Sequence, residues 1–431
     1  MRSSIEVHSH ATPQAAARWP QRRALVAAAA TVLAVAVVAL APTVVASNRH
    51  EDTQWVGTWA ASPQPVAAPI QISGQTIRQI VHTSIGGGRV RVRFSNAYGT
   101  SPLLIGAAHV AISAGGASIV EGSDRTLAFN GSPTVAIPAG ALAVSDAVTL
   151  DVPALGDLAV SLYLPESVGA ATQHVEGQQT NHISLSGDFT GAATMAGTTS
   201  NSFYFLTGVE VRAPEGARAI VTLGDSTTDG FASTPDMNQR WPNLLAERLL
   251  SQRGPRVAVL NAGVSGNRIL HDLVGTGAAA RLDRDVLVQT GAAYLIVLQG
   301  NADILIPDLI GRPEENVTAE QIIQGQRQII DRAHAMGLRV LGGTLNPVEG
   351  YPFPGFWTAA MEEKRRAVNR WIRTGGAYDA VIEFDKVLRD PSHPSRLLPG
   401  YDSGDHVHPN DLGYRAMADA IDLSLFRDDD R

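Results

Sequence analysis

The run Ile220-Val221-Thr222-Leu223-Gly224-Asp225-Ser226 carries an apolar strand pattern into a Gly-Asp-Ser turn, and a helical pattern follows within a few residues. Such a turn lifts a serine hydroxyl out at the C-terminal edge of a sheet, where open α/β folds place their sites. Serine is a poor nucleophile at its own pKa, so the turn matters only if a base is at hand. Close to the C-terminus, Asp405-His406-Val407-His408-Pro409 offers a carboxylate and an imidazole three residues apart. A single loop can deliver both groups to the serine. His406 stands two residues before His408, so in an extended segment the two share a face and alternation does not separate them. Asp229 reads as a helix-start cap.

The elements that must position these groups fall into two stretches. From about Trp55 to Val211 the sequence is punctuated like an all-β domain: Gln75 to His82 and Val90 to Phe94 alternate apolar with polar, and Gly86-Gly87-Gly88 makes a turn between them. Period-2 strands at this spacing, with no convincing amphipathic helix, predict a β-sandwich of the jelly-roll kind over residues 53–211. After Pro214-Glu215-Gly216 the grammar changes. Strand-like Arg218–Leu223, Val257–Leu260, Tyr294–Leu298, Arg339–Leu341 and Ala380–Phe384 alternate with helix-like Trp241–Leu250, Thr318–Met336 and Thr358–Arg373, and a last helix starts near Pro409. That alternation over residues 215–428 predicts a parallel sheet with helices on both faces.

Three islands in this second stretch resemble those of the SGNH/GDSL hydrolase family. They are Gly224-Asp225-Ser226, the glycine block Asn261-Ala262-Gly263-Val264-Ser265-Gly266-Asn267, and the Asp-x-x-His block Asp405 to His408. Trp55-Val56-Gly57-Thr58-Trp59 and Ser95-Asn96-Ala97-Tyr98-Gly99 also look like an exported bacterial two-domain branch with an N-terminal β-sandwich. The resemblance implies a flavodoxin-like three-layer α/β hydrolase domain and a serine esterase. It makes Ser226 the nucleophile, His408 the general base and Asp405 the group that orients the imidazole. His406 is then a loop residue beside the site, and Asp225 a brace of the turn. The implied substrate is a small acyl ester or an acetylated polysaccharide, the acyl group being acetyl, with no metal and no organic cofactor.

The resemblance breaks at the oxyanion hole. The implied donors are the Ser226 and Gly266 N–H groups and an asparagine in a Gly-x-Asn-Asp pattern after a strand. Here the strand is followed by Gln299-Gly300-Asn301-Ala302-Asp303. Aligning Gly300 and Asp303 puts Ala302 where the asparagine belongs and Asn301 one residue early, where an extended turn sends its side chain the other way. Losing one such donor costs about 3–4 kcal/mol, a hundred- to a thousandfold in turnover. Three outcomes stand open. A slipped loop aims Asn301 at the hole, the enzyme runs slowly on two backbone donors, or catalysis is lost and binding kept. The alternatives to an acetyl esterase are a lipase or thioesterase for longer acyl chains, and a catalytically impaired carbohydrate-binding envelope protein.

Composition bounds the rest. Hydrophobic content of 44%, charge content of 17% and a net charge of −7 describe a globular protein and speak against a nucleic-acid partner. With no cysteine there is no disulfide and no thiolate site. Arg2, Arg18, Arg22 and Arg23 precede an uncharged Ala/Val run, Ala24 to Ala41, and Val44-Val45-Ala46 supplies small residues suited to cleavage. Residues 1–47 therefore read as an export signal, cleaved or kept as a membrane anchor, which puts the body outside the cytoplasm. Asn267 and Arg268 are candidate substrate contacts, with a loop cap and a surface charge as the plainer alternative. Trp55 and Trp59 suit either sugar stacking or a β-sandwich core, and Trp241 suits a core. The oligomeric state is not encoded in any of these signals.

Overall fold

Five parallel strands form the sheet of the C-terminal half: Arg218–Gly224, Val257–Gly263, Ala292–Leu298, Arg339–Gly343 and Ala380–Ile382. In the sheet the second strand lies outside the first, and the third, fourth and fifth follow on its other side. That order, 2-1-3-4-5, is the flavodoxin-like doubly wound one, with its switch point between the first and third strands. The strands are near-continuous apolar runs because both faces are covered; Ala219 to Gly224 is buried throughout. The computed structural model describes residues 53–66, 71–169, 171–252, 254, 256–351 and 356–427. The signal or anchor expected over residues 1–47 lies outside them. Among the described residues no helix is long and apolar enough to cross a membrane.

The helices are α1 (Ser226–Asp229), α2 (Trp241–Leu250), α3 (Ala278–Leu282), α4 (Asn301–Leu309), α5 (Ala319–Ala335), α6 (Ala359–Thr374), α7 (Phe384–Leu388) and α8 (Asp411–Asp419). α5 starts at a capping box, the Thr318 hydroxyl taking the Gln321 N–H while the Gln321 side chain takes that of Thr318. Trp241 is fully buried and packs on Phe384, as a core residue should. The expected strand Ala380–Phe384 stops at Ile382, because Phe384 already opens α7. α4 breaks the helical period with Pro307 and was not foreseen.

Two large antiparallel sheets, with a three-stranded and a two-stranded one beside them, precede this half. One orders Thr53–Ala60, Leu206–Pro214, Gly87–Ser95 and Leu142–Val144, and the other runs from Gly197–Ser200 through Asn181–Ser186, Gln75–His82, Asp157–Leu164 and Ala107–Gly115. Their apolar residues join one core with those of the parallel sheet, and His50–Arg431 forms one compact unit. Gln75–His82 alternates in sequence yet is buried on both faces. The reason is Arg78, fully buried, whose guanidinium donates to the carbonyls of Ala117, Phe189, Thr190 and Ala192 and so draws two loops over the polar face. Only Gly86 of the glycine triplet stays in the turn. Gly87 and Gly88 open the next strand, and a Cβ on Gly87 would lie 2.3 Å from the Arg212 carbonyl oxygen.

Trp55 and Trp59 are both half-buried. The Arg91 guanidinium sits 4.4 Å from the centroid of Trp55, and Trp59 meets Phe203 edge-on at 4.8 Å.

Candidate active site

The first parallel strand ends at Gly224 and α1 begins at Ser226, with Asp225 as its N-cap taking the Thr227 N–H. Asp225 thus braces the turn. Burial pushes its pKa up to about 6, against the Thr227 N–H, which favours the charged form. Ser226 Oγ lies 2.7 Å from His408 Nε2, and His408 Nδ1 lies 2.6 Å from Asp405 Oδ2. The other carboxylate oxygen takes the backbone N–H groups of Val407 and His408, both at 2.8 Å. Burial works against the charge on Asp405, but the His408 side chain and these N–H groups outweigh it and hold the carboxyl well below the usual range. An ionised carboxylate only accepts, so Nδ1 carries the proton and Nε2 is left bare toward the serine hydroxyl. Phe231 packs on the imidazole at 4.6 Å.

His406 does not share this face. Its φ of +65° breaks the extended alternation, and its Nδ1 turns to Asp402 Oδ2 at 2.5 Å.

Gly266 follows the second strand at φ +71°, a conformation that favours glycine, and lines the same pocket as Ser226 and His408. Asn301 reaches the pocket wall, but its Nδ2 donates to the backbone and side-chain oxygens of Asn346, both at 3.1 Å. Asn346 in turn donates to the Val407 carbonyl at 3.1 Å. Asn301 is therefore a tie to the loop that carries His408, and its amide hydrogens are not free for an oxyanion. The cause is the helix start: with Gly300 at φ +139°, Asn301 is the first residue of α4 and Ala302, the position aligned with the family's asparagine, lines the pocket beside it. The Ser226 and Gly266 N–H groups are what remain.

Asn267 and Arg268 do not touch the pocket. Both are almost fully buried. Asn267 donates to the Thr276 carbonyl at 2.9 Å and accepts from Arg281 Nε at 3.0 Å, while Arg268 pairs with Glu315 at 2.5 Å and donates to the Asp272 carbonyl at 2.6 Å. The loop folds back on itself after Gly266, and these two residues hold the fold of the loop.

Asp229 is not a helix-start cap, since that place belongs to Asp225. It ends α1, buried, with Oδ2 accepting from both the N–H and the hydroxyl of Ser265 at 2.8 Å. Its Oδ1 meets His174 Nε2 at 2.9 Å. Nothing in the sequence marks His174, which stands alone on a short antiparallel strand, Thr172–His174. Gly263 is needed here for another reason: a Cβ there would lie 2.3 Å from the Asp229 nitrogen.

The serine opens on a cavity of about 290 Å³ walled by Phe231, Val274, Leu305, Ile306, Tyr351 and Phe356 among others. Its wall is predominantly apolar. Leu305 and Ile306 come from α4, so the helix missed in the sequence supplies much of that wall. Among the described residues no group of three or more His, Asp or Glu is arranged to hold a metal ion.

Residues 222–416 match the model of the GDSL-like Lipase/Acylhydrolase family. No curated protein matches the chain. Among solved structures it is similar to an aryl esterase of M. smegmatis (16% identity, 47% of this chain and 95% of that one, TM-score 0.38). It is similar also to a GDSL-like lipase of Bacteroides thetaiotaomicron (16%, 48% and 88%, TM-score 0.37). A third is a carbohydrate acetylesterase of Sinorhizobium meliloti (16%, 49% and 100%, TM-score 0.38). The turn, the glycine block and the late loop all lie within the matched residues 222–416, and the C-terminal half of this chain carries a GDSL-like lipase/acylhydrolase (SGNH) domain.

Proposed function

We propose that the protein is an exported serine esterase that hydrolyses esters with an apolar acyl group longer than acetyl. The observation that carries the reading is the Ser226–His408–Asp405 chain of hydrogen bonds at the mouth of an apolar cavity. Ser226 Oγ attacks the ester carbonyl as its proton passes to His408 Nε2, and Asp405 stabilises the imidazolium that forms. The oxyanion is met by the Ser226 and Gly266 N–H groups. His408 then gives the proton to the departing alcohol, and water repeats the sequence to free the acid.

An acetyl group would leave most of the cavity unfilled. Each methylene buried there is worth about 0.8 kcal/mol, roughly fourfold in kcat/KM. The acetylated-carbohydrate substrate implied by the family resemblance draws less support from these walls, which offer a sugar few hydrogen-bonding partners. Export draws its support from the basic leader and apolar run before residue 47.

The test is hydrolysis of p-nitrophenyl acetate, butanoate and octanoate by wild type and Ser226→Ala. The expected result is a kcat/KM that climbs from acetate to the longer esters and vanishes in the variant. Equal rates in the two proteins would rule out the serine mechanism. A strict preference for acetate would return the substrate to small acyl groups.

A further inference from the structure

Two backbone N–H groups must carry an oxyanion without a third donor, so whatever fixes their direction matters more than usual. One of them, on Gly266, follows directly on Ser265. Ser265 is fastened at both its N–H and its hydroxyl to Asp229 Oδ2, and Asp229 lies one helical turn after Ser226. The carboxylate is fastened in turn by His174, which belongs to the antiparallel half. His174 Nδ1 donates to the Ser62 carbonyl at 3.0 Å and Nε2 to Asp229 at 2.9 Å. Both ring nitrogens face acceptors, an arrangement that favours the cationic ring, and it lies almost fully buried beside an almost fully buried carboxylate.

Ser62 also receives Arg281 on its hydroxyl, at 2.9 Å. Arg281 goes on to the Ala262 and Gly224 carbonyls and to Asn267 Oδ1, the frame of the same glycine loop. The far end of the loop is tied to the antiparallel half as well, Gln64 donating to the Val274 carbonyl and Tyr98 bonding Thr276.

We infer that the antiparallel half is part of the catalytic apparatus, with His174 as a positioning residue that sets the Gly266 N–H through Asp229 and Ser265. The inference rests on the proposed esterase reading, in which that N–H binds the oxyanion. It gives the β region a task that neither a sugar-binding nor a shielding role would give it.

The experiment follows Ser226-dependent hydrolysis of p-nitrophenyl butanoate by the full chain carrying His174→Ala, His174→Gln, His174→Asn, Ser265→Ala or, as control, His109→Gln. His109 and Asp124 form another histidine–carboxylate contact of the antiparallel half, and neither lines the pocket around Ser226. A glutamine nitrogen falls near the place of Nε2 and keeps the bond to Asp229, whereas an asparagine nitrogen falls near Nδ1 and keeps only the bond to Ser62. His174→Ala is expected to lower kcat by about ten- to a hundredfold with KM within about twofold, since a donor moved by an ångström loses that much. Glutamine should recover most of the loss and asparagine little of it. Ser265→Ala should lose about threefold to tenfold, and His109→Gln nothing. Should His174→Ala fail to fold, the glutamine–asparagine contrast and Ser265→Ala decide. Wild-type kcat in Ser265→Ala and the His174 variants, equal rates for glutamine and asparagine, or a loss confined to KM would overturn the inference and leave the esterase reading standing. Absence of Ser226-dependent turnover in wild type would sink the reading itself, and the inference with it.

Discussion

The molecule holds two histidine–aspartate pairs around one serine turn, and they are built for opposite tasks. In the late loop, His408 faces a carboxylate on one nitrogen and a hydroxyl on the other, and the pair is partly open to solvent. A hydroxyl can give a proton, so that imidazole can take one and pass it on. At the junction of the two halves, His174 faces a carbonyl and a carboxylate, and neither partner is solvated. Among the described residues no hydroxyl stands on either ring nitrogen to hand it a proton. The same two residue types make a base in one place and a strut in the other, and the acceptors around the ring decide which.

The largest effect should come from the first pair. His408→Ala is expected to cut kcat by about four to six orders of magnitude, read from single-turnover release of p-nitrophenol. Asp405→Asn should cost about three to four orders, because an amide there can donate to Nδ1 and stabilise the wrong tautomer. A loss of under tenfold in either variant would erase the distinction between base and strut.

Next comes the hole. Ala302→Asn restores a side chain at the position where the family carries its donor, and turnover should rise by about ten- to a hundredfold. In that background the cost of His174→Ala should shrink, since a third donor shares the load. A double-mutant cycle in which the two effects simply multiply would separate the strut from the hole.

The smallest effect sharpens what a cation does for a buried carboxylate. Asp229 has His174 bonded to it, whereas Asp303 is bonded, among the described residues, only by backbone donors from Ile269 and Leu270, with the Arg268 charge acting from nearby. Burial, larger than those N–H contributions, pushes the Asp303 pKa up to about 7, and that of Asp225 up to about 6. A carboxyl with a raised folded pKa binds its proton more tightly in the native state. The stability it contributes is complete below pH 4 and is lost as pH rises toward 7. Tm should therefore fall across this window, and Asp303→Asn should flatten the fall. An unchanged slope would mean that Asp303 is ionised throughout.

Much of this was open to a reader of the sequence, for physical reasons. Continuous apolar runs betray strands buried on both faces, and Asp405 and His408 are close enough in the chain to be noticed together, although the family resemblance was needed to prefer His408 to His406. What escaped was set by distance or by context. His174 and Asp229 are joined only by the packing of two halves, so no local pattern could suggest them. Asn267 and Arg268 stand at the end of the glycine block in sequence, yet the positive φ at Gly266 turns the chain away from the pocket directly before them. α4 was hidden by Pro307 and by the loop chemistry of Gly300 and Asn301, and with it went the apolar wall that bears on substrate length.

Ser62 bears on where this chain can be cut. A fragment beginning at Glu215 would keep Ser226, Asp405 and His408 and would look, by its motifs, like a complete enzyme. It would also lose the His174 imidazole that fastens Asp229 and the Ser62 hydroxyl that receives Arg281, so the glycine loop would keep its motif and lose two of its fixings. The border between the halves, although plain in the sequence, is a poor crossover point for recombination or domain grafting. A transplanted hydrolase half would have to bring with it a loop carbonyl and a strand histidine from the far side of that border.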